Sequence, residues 1–255
     1  MANLKSAIII PALNEELAIA GVVEGVIDRV DRVIVVDNGS TDQTAKRAAD
    51  SGAQVINEPM PGYGRSCLAG VAAAGDADIY VFMDGDGADD PNDLDRILDP
   101  ILNHNVDLVI GSRLSGTVEK GALTIPQRLG NTLACTLMKW FWNSQFTDLG
   151  PFRAITAQAY RRLDMAAPTF GWTIEMQARA VKRGLTCAEV PVSYRRRIGI
   201  SKISGTVNGV VKAGAHILGV VGREAITGLF EKKPTHNPHH RFSSNDTKKP
   251  NRPSG

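Results

Sequence analysis

The chain is short of aromatics, of cysteine, of net charge and of long apolar runs. Cys67, Cys135 and Cys187 lie far apart and odd in number. That pattern excludes a disulfide framework or a zinc spacing, and implies reduced thiols. No run reaches the ~18 uncharged apolar residues of a membrane span. The apolar core of "MANLKSAIIIPALNEE" is too short for a signal peptide. These absences predict a cytoplasmic protein that does not cross a bilayer. A formal net charge of +2 excludes a general nucleic-acid binder, whose footprint is a strong basic excess. Nothing in the pattern fixes an oligomeric state.

What is present is enough to fold. Hydrophobic residues make up 43% of the 255, sufficient for one large domain or two closely joined halves. From Glu231 onward there are six Lys/Arg against two Asp/Glu, one aromatic and no Val, Ile or Leu. Such a segment cannot bury enough surface to offset its ordering entropy, so 231–255 is predicted to be a disordered basic tail.

Strand and helix patterns alternate through the first half. "SAIIIPA", "RVIVVD", "AQVINE", "DIYVFMD" and "VDLVIGSR" read as strands. "NEELAIAGVVEGVIDRV", "TDQTAKRAADSG", "GRSCLAGVAAAG" and "PNDLDRILDPILNHN" read as the helices between them. The alternation predicts an α/β fold with a mostly parallel sheet flanked by helices. Ligands in such sheets gather at the carboxyl ends of the strands. Pro11, Asn14, Asp37, Asp84, Asp86 and Arg113 all fall there.

Beyond Arg113 the rhythm loosens. "SGTVEKGALTIPQR" reads as a long loop and "LGNTLACTLMKWFWN" as an apolar helix. "TDLGPFRAIT" reads as a turn entering a strand, "GWTIEMQARAVKRG" as a helix and "TCAEVPVSYRRR" as a strand. Residues 205–230 carry valines along one helical face, with Lys212, His216 and Arg223 elsewhere. That amphipathic helix fits either a membrane surface or the main domain, and Trp140, Phe141 and Trp142 are open to the same two readings.

The stretch "VFMDGDGADDP" follows a strand and crowds Asp84, Asp86, Asp89 and Asp90 together. In extended chain, residues two apart point the same way, so Asp84 and Asp86 can present carboxylates to one cation. Hard oxygen ligands suit Mg²⁺ or Mn²⁺. The competing reading is a Gly-rich turn with solvated acids. In "VVDNGSTDQT", Asp37 can accept hydrogen bonds from a base or ribose, while Ser40 and Thr41 can cap the next helix. The run Arg195-Arg196-Arg197 suits either a phosphate or a charge-guarded strand edge.

"IPALNEE", "VVDNGSTDQT", "MDGDG", "GSR" and "TDLGPFRA", in this order, resemble the family 2 glycosyltransferases of the GT-A fold. The further "RRIGISK" is similar to the polyprenyl-phosphate hexosyltransferase branch, of dolichol-phosphate mannose synthase type. The resemblance implies a nucleotide-sugar half over 1–113 and an acceptor half over 114–204. It also implies a hexose moved, with inversion, from UDP-glucose or GDP-mannose to a polyprenyl phosphate at the cytoplasmic face of a membrane. Pro11, Asn14, Glu15, Asp37, Ser40, Asp84 and Arg196 would contact the donor. Asp84 and Asp86 would hold Mg²⁺ or Mn²⁺, and Arg113, Arg128, Arg153, Ser201 and Lys202 would face the acceptor phosphate. Asp86, Arg113 and Asp148 would carry the chemistry. If the acceptor were a hydroxyl, Asp148 would be its general base. A non-catalytic nucleotide-sugar binder is a further reading. The sequence departs from the family pattern at Ala88, where relatives often carry a metal-contacting Gln; Asp89 is the candidate substitute.

Overall fold

The computed structural model describes residues 4–199, 219, 221–224 and 239–241. One eight-stranded sheet organises them. Its strands are β1 (Ser6–Ala12), β2 (Arg32–Asp37), β3 (Gln54–Asn57), β4 (Ile79–Phe82), β5 (Leu108–Val118), β6 (Arg153–Thr156), β7 (Cys187–Tyr194) and β8 (His239–Arg241). The order is β3-β2-β1-β4-β6-β5-β7-β8, with every pairing parallel except those of β6.

The predicted parallel alternation holds through β4, because the strands are apolar on both faces. In β1, Ile8, Ile10 and Ala12 enter a core with Val22, Val23, Leu94 and Ile97, while Ala7 and Ile9 enter another with Cys67, Trp172 and Met176. The first core packs under α1 (Ile19–Glu24), α2 (Thr44–Asp50) and α4 (Leu94–His104). The second packs under α3 (Tyr63–Ala73), α6 (Ala157–Leu163) and α7 (Trp172–Lys182). Each fully buried Ile or Val contributes about 1.5–3 kcal/mol, so burial on both faces holds the sheet between its helices.

Three expectations are revised. The helix read over Asn14–Val30 is only α1 plus a 3₁₀ turn at Ile27–Arg29. Its first backbone donors are claimed from outside: Asn14 N–H by Ser40 Oγ and Glu15 N–H by Thr44 Oγ1, each at 2.8 Å. Ser40 and Thr41 therefore do not cap α2; Asp42 Oδ1 accepts from Thr44 N–H instead. The long loop after Arg113 is mostly structured. β5 runs on to Val118, pairing Thr117 and Val118 with Ser193 and Tyr194 of β7. Gly116 allows this, since a Cβ there would lie 1.9 Å from the Val192 carbonyl oxygen. α5 (Ile125–Trp142) then starts on a Thr124–Gln127 capping box, each side chain bonding the other's backbone N–H.

The antiparallel β6 matters most for function. It pairs Arg153 with Phe82 of β4 and with Ile110 of β5. Running backwards, it starts where its neighbours end, so the "TDLGP" turn arrives at the same sheet edge as Asp84 and Arg113.

Of the predicted amphipathic helix, only residues 219 and 221–224 are described. Val221 is buried with Ala134, Cys135, Met138 and Ile174, and Glu224 pairs with Arg179 and Lys182, each at 3.0 Å. That piece packs on α5 and α7. The remainder of the helix and most of the basic tail lie outside the described residues; where the tail is described, His239–Arg241 form β8 beside β7 rather than the expected disorder. No helix among the described residues is long and apolar enough to cross a membrane.

Candidate active site

Two interlocked loops build one end of the sheet edge. Asn14 sits at φ 53°, a left-handed conformation that Asn tolerates. There its Oδ1 accepts from Thr41 N–H at 2.7 Å while its own N–H bonds Ser40. Asp37, at the end of β2, is buried and accepts from Ser40 N–H at 3.3 Å. Asn38 ties this loop to the next, donating to the carbonyls of Glu58 and Met60 and accepting from Gly62 N–H. Pro11 lies within β1 opposite Val36. Pro11, Asn14, Glu15, Asp37 and Ser40 thus share one end of β1 and β2.

The acidic turn follows β4 on the same edge. Asp86 Oδ1 accepts from Ala88 N–H at 2.9 Å, and Asp86 Oδ2 pairs with Arg197. Asp89, 1% exposed, uses Oδ2 to accept from Asp84 N–H at 3.3 Å. One oxygen of each of the other two acids, Asp84 Oδ1 and Asp89 Oδ1, is buried with no hydrogen-bond partner. Burial, reinforced by the Asp86 charge, lifts the Asp84 carboxyl to about 7. Asp89 rises well above the carboxylate range for the same reason, with Asp84 and Asp86 as its repelling neighbours.

Two orphaned carboxylate oxygens and crowded negative charge are what a divalent cation would satisfy. Among the described residues no three metal-ligating side chains converge. Mg²⁺ and Mn²⁺ take one or two protein carboxylates and fill the other positions with water and phosphate, so the acids of this turn would be enough to hold either. Asp89, the candidate substitute for the missing Gln, braces the Asp84 backbone with one oxygen and leaves the other unpartnered.

The other end is built from the "TDLGP" turn. Asp148, 0% exposed, accepts three hydrogen bonds from Arg113: from its N–H at 2.7 Å, from Nε at 2.9 Å and from Nη2 at 2.6 Å. Burial works against the Arg113 charge, but the Asp148 hydrogen bonds and charge outweigh it, so the guanidinium is held protonated. Its other face lies over the Tyr194 ring at 5.1 Å. Glu189 supports the turn from below, accepting from Thr147 N–H and Oγ1 and from Asp148 N–H at 2.7–3.1 Å. Asn131 bonds Thr147 O and Leu149 N–H, and Gln177 bonds Asp148 O.

Arg153 does not face an acceptor. It is fully buried, donating to the carbonyls of Leu149, Gly150 and Thr173 with its guanidinium 5.9 Å from the Trp172 ring. Burial lowers its pKa to about 10. Its role here is to pin the turn. Arg196 is directed to the β5–α5 loop, bonding Lys120 O at 2.8 Å and pairing with Glu119. Arg195 pairs with Asp90 and Arg197 with Asp86, so every member of the triple arginine is engaged with an acidic loop. Arg128 is exposed on the first turns of α5. Ser201 and Lys202 lie outside the described residues. Trp140 is 78% exposed, against the core reading, while Trp142 packs partly into two cores.

The structure therefore unites Asp84, Asp86, Arg113 and Asp148 along one edge, with Asp37 and Asn14 at its far end. It adds Glu189, Asn131, Gln177 and Tyr194, which the sequence reading did not assign, and sets Arg197 of the triple arginine against Asp86. Glu189 alone left a trace: a single acid within an otherwise apolar strand.

A model of the family described as "Glycosyl transferase family 2" matches residues 7–163. The chain belongs to glycosyl transferase family 2. This glycosyltransferase is 35% identical over 216 residues to an uncharacterised glycosyltransferase of Mycobacterium tuberculosis, covering 84% of this chain and 96% of that one. It is 32% identical over 210 residues to a dolichyl-phosphate hexose transferase of Haloferax volcanii, covering 80% and 88%. Its fold matches glucosyl-3-phosphoglycerate synthase of M. tuberculosis, solved with Mn²⁺, UDP and phosphoglyceric acid, at TM-score 0.72 and 23% identity. That match covers 88% of this chain and 79% of the other. The GT-A fold and the enzyme class expected from the sequence are thereby established.

Proposed function

We propose that this glycosyltransferase moves a hexose from a nucleoside-diphosphate sugar to a polyprenyl phosphate, with Mg²⁺ or Mn²⁺ at Asp84 and Asp86. The observation that carries the reading is the state of Asp148. Its carboxylate already accepts three hydrogen bonds from Arg113, leaving the candidate base occupied. A hydroxyl acceptor needs such a base; a phosphate monoester, already anionic near neutral pH, does not. Arg113 offers a fixed, always-charged fork of the kind that suits phosphate oxygens. The dolichyl-phosphate hexose transferase among the relatives supports the same acceptor class.

In this reading Asp37, Asn14 and Ser40 hold the donor's nucleoside end. When bound, the divalent ion supplies Lewis-acid stabilisation of the charge that develops on the departing diphosphate. Asp84 and Asp86 present the oxygens that hold it, and Asp89 fixes the Asp84 backbone. Arg113, aimed by Asp148 and Tyr194, orients the acceptor phosphate for attack on the anomeric carbon from the side opposite the diphosphate, which inverts that centre. Arg128, Ser201 and Lys202 are the remaining candidates for the acceptor phosphate, and the exposed Trp140 suits the membrane interface where such a lipid resides.

The test is transfer of radiolabel from a panel of nucleotide sugars into the organic phase, with detergent-dispersed polyprenyl phosphate and Mn²⁺. Lipid-phase label that vanishes with EDTA and in Asp84→Asn is the expected result. Label passing only to a water-soluble acceptor such as 3-phosphoglycerate would overturn the acceptor class. Donor binding without turnover on any acceptor would overturn the enzyme reading for this chain.

A further inference from the structure

Arg197 holds a position that the proposed reaction has not used. Asp86 has both oxygens engaged: Oδ1 by the Ala88 N–H, Oδ2 by the Arg197 guanidinium. The segment carrying Arg197 is laid over the acidic turn by its own backbone. Arg195 N–H bonds Ala88 O at 2.8 Å, Ile198 N–H bonds Asp86 O at 2.9 Å, and Asp89 bridges Tyr194. Arg195 adds a second anchor at Asp90. The backbone bonds that lay this segment down therefore do not involve the Arg197 side chain, which is 32% exposed.

An ion pair at that oxygen conflicts with metal binding. A divalent cation approaching Asp86 Oδ2 meets a guanidinium there, and two cations at hydrogen-bonding distance of one oxygen repel strongly. One of them must leave. The donor's diphosphate would supply a new anion, and a guanidinium pairs with phosphate oxygens in bidentate fashion.

We propose that Arg197 is a donor-binding residue that stands in for the divalent cation at Asp86 in the empty enzyme and transfers to the donor's diphosphate once the ion arrives. The inference rests on the Asp84/Asp86 metal reading. It makes metal and donor binding mutually reinforcing, because each relieves a cost that the other would otherwise meet. It also separates Arg197 from Arg196, which bonds the β5–α5 loop.

Mn²⁺ titration followed by electron paramagnetic resonance, on the full chain without nucleotide, tests this directly. Arg197→Gln is expected to bind Mn²⁺ about tenfold more tightly than wild type, since the competing cation is gone. The same variant, saturated with Mn²⁺, is expected to bind UDP about tenfold more weakly by calorimetry. Arg197→Lys keeps the charge and should restore both constants toward wild type. Equal Mn²⁺ affinity in wild type and Arg197→Gln, or equal UDP affinity, overturns the proposal while leaving the metal site intact. If Asp84→Asn binds Mn²⁺ as wild type does, the metal reading itself has failed, and the proposal with it.

Discussion

Replacing Asp148 by Asn separates a carboxylate that positions Arg113 from one that takes a proton. Asp148 is fully buried and Arg113 is 13% exposed in its side chain, with three hydrogen bonds of 2.6–2.9 Å between them. Removing one partner of such a pair costs about 3–5 kcal/mol, because the other charge is left buried and unmatched. Asn keeps one oxygen that can still accept from the Arg113 N–H or Nη2, which puts the expected loss near 3 kcal/mol, at the lower end. Against a total stability of roughly 5–15 kcal/mol this is a large fraction. Urea unfolding of wild type, Asp148→Asn, Arg113→Met and the double variant forms a cycle. The double variant should be more stable than the sum of the single losses predicts by at least ~1 kcal/mol. Kinetics add an independent reading. A positioning carboxylate lowers the transfer rate at every pH when changed to Asn, whereas a general base removes the acid limb of the pH–rate profile. A stability loss under about 1 kcal/mol with additive singles would refute the pairing argument, and loss of the acid limb alone would restore Asp148 as the base.

Other outcomes follow from the same edge of the sheet. Asp84 and Asp89 have folded-state pKa values above those of an unfolded chain, Asp84 at about 7. Between about pH 4 and 7 the folded protein thus binds more protons than the unfolded one, and stability falls as pH rises. Differential scanning fluorimetry in EDTA should show Tm dropping across that window, less steeply in Asp89→Asn; an unchanged slope in that variant counts against the mutual repulsion. Gly150→Ala places a Cβ 2.1 Å from the Gly111 carbonyl oxygen, which forces β5 and the acceptor turn apart. A loss of about 2 kcal/mol or more in urea unfolding is expected, and a neutral result would mean the turn is not held that close. Glu189→Gln leaves too few acceptors for its three donors, and should lower both stability by about 1–3 kcal/mol and the transfer rate. Wild-type activity in that variant would detach Glu189 from the site.

The parts of the fold that were readable are those set by local pattern. β1, β2 and β4 are continuous apolar runs because both their faces are covered, and the polar residues that end them mark the functional edge. What escaped was set by distant partners. α1 is shorter than its apolar spacing because the β2–α2 loop captures its leading N–H groups. β5 outlasts its apolar residues because β7 supplies backbone partners for polar ones. α6 was overlooked: seven residues with three alanines or glutamines at its start carry too little periodicity to register. In the site, the adjacency of Asp84 and Asp86 was legible two residues apart. The union of Arg113 with Asp148 spans 35 positions and that of Arg197 with Asp86 spans 111, separations at which spacing carries no information. Arg153 was misassigned for a related reason, since a motif arginine looks alike whether it greets a ligand or clasps carbonyls.

β6 joins the two ends of this enzyme into a single slab. Because it enters between β4 and β5 in reverse, the acids that follow β4 and Arg113 of β5 hang from the strands on either side of it, with no joint between them. The site is thereby indexed to the slab, while the tail of β5 and α5 are braced against it, the one by Ser193 and Tyr194 of β7 and the other through Asn131 on the turn that carries Asp148. Any shift of that brace is passed to Asp148 and from there to Arg113.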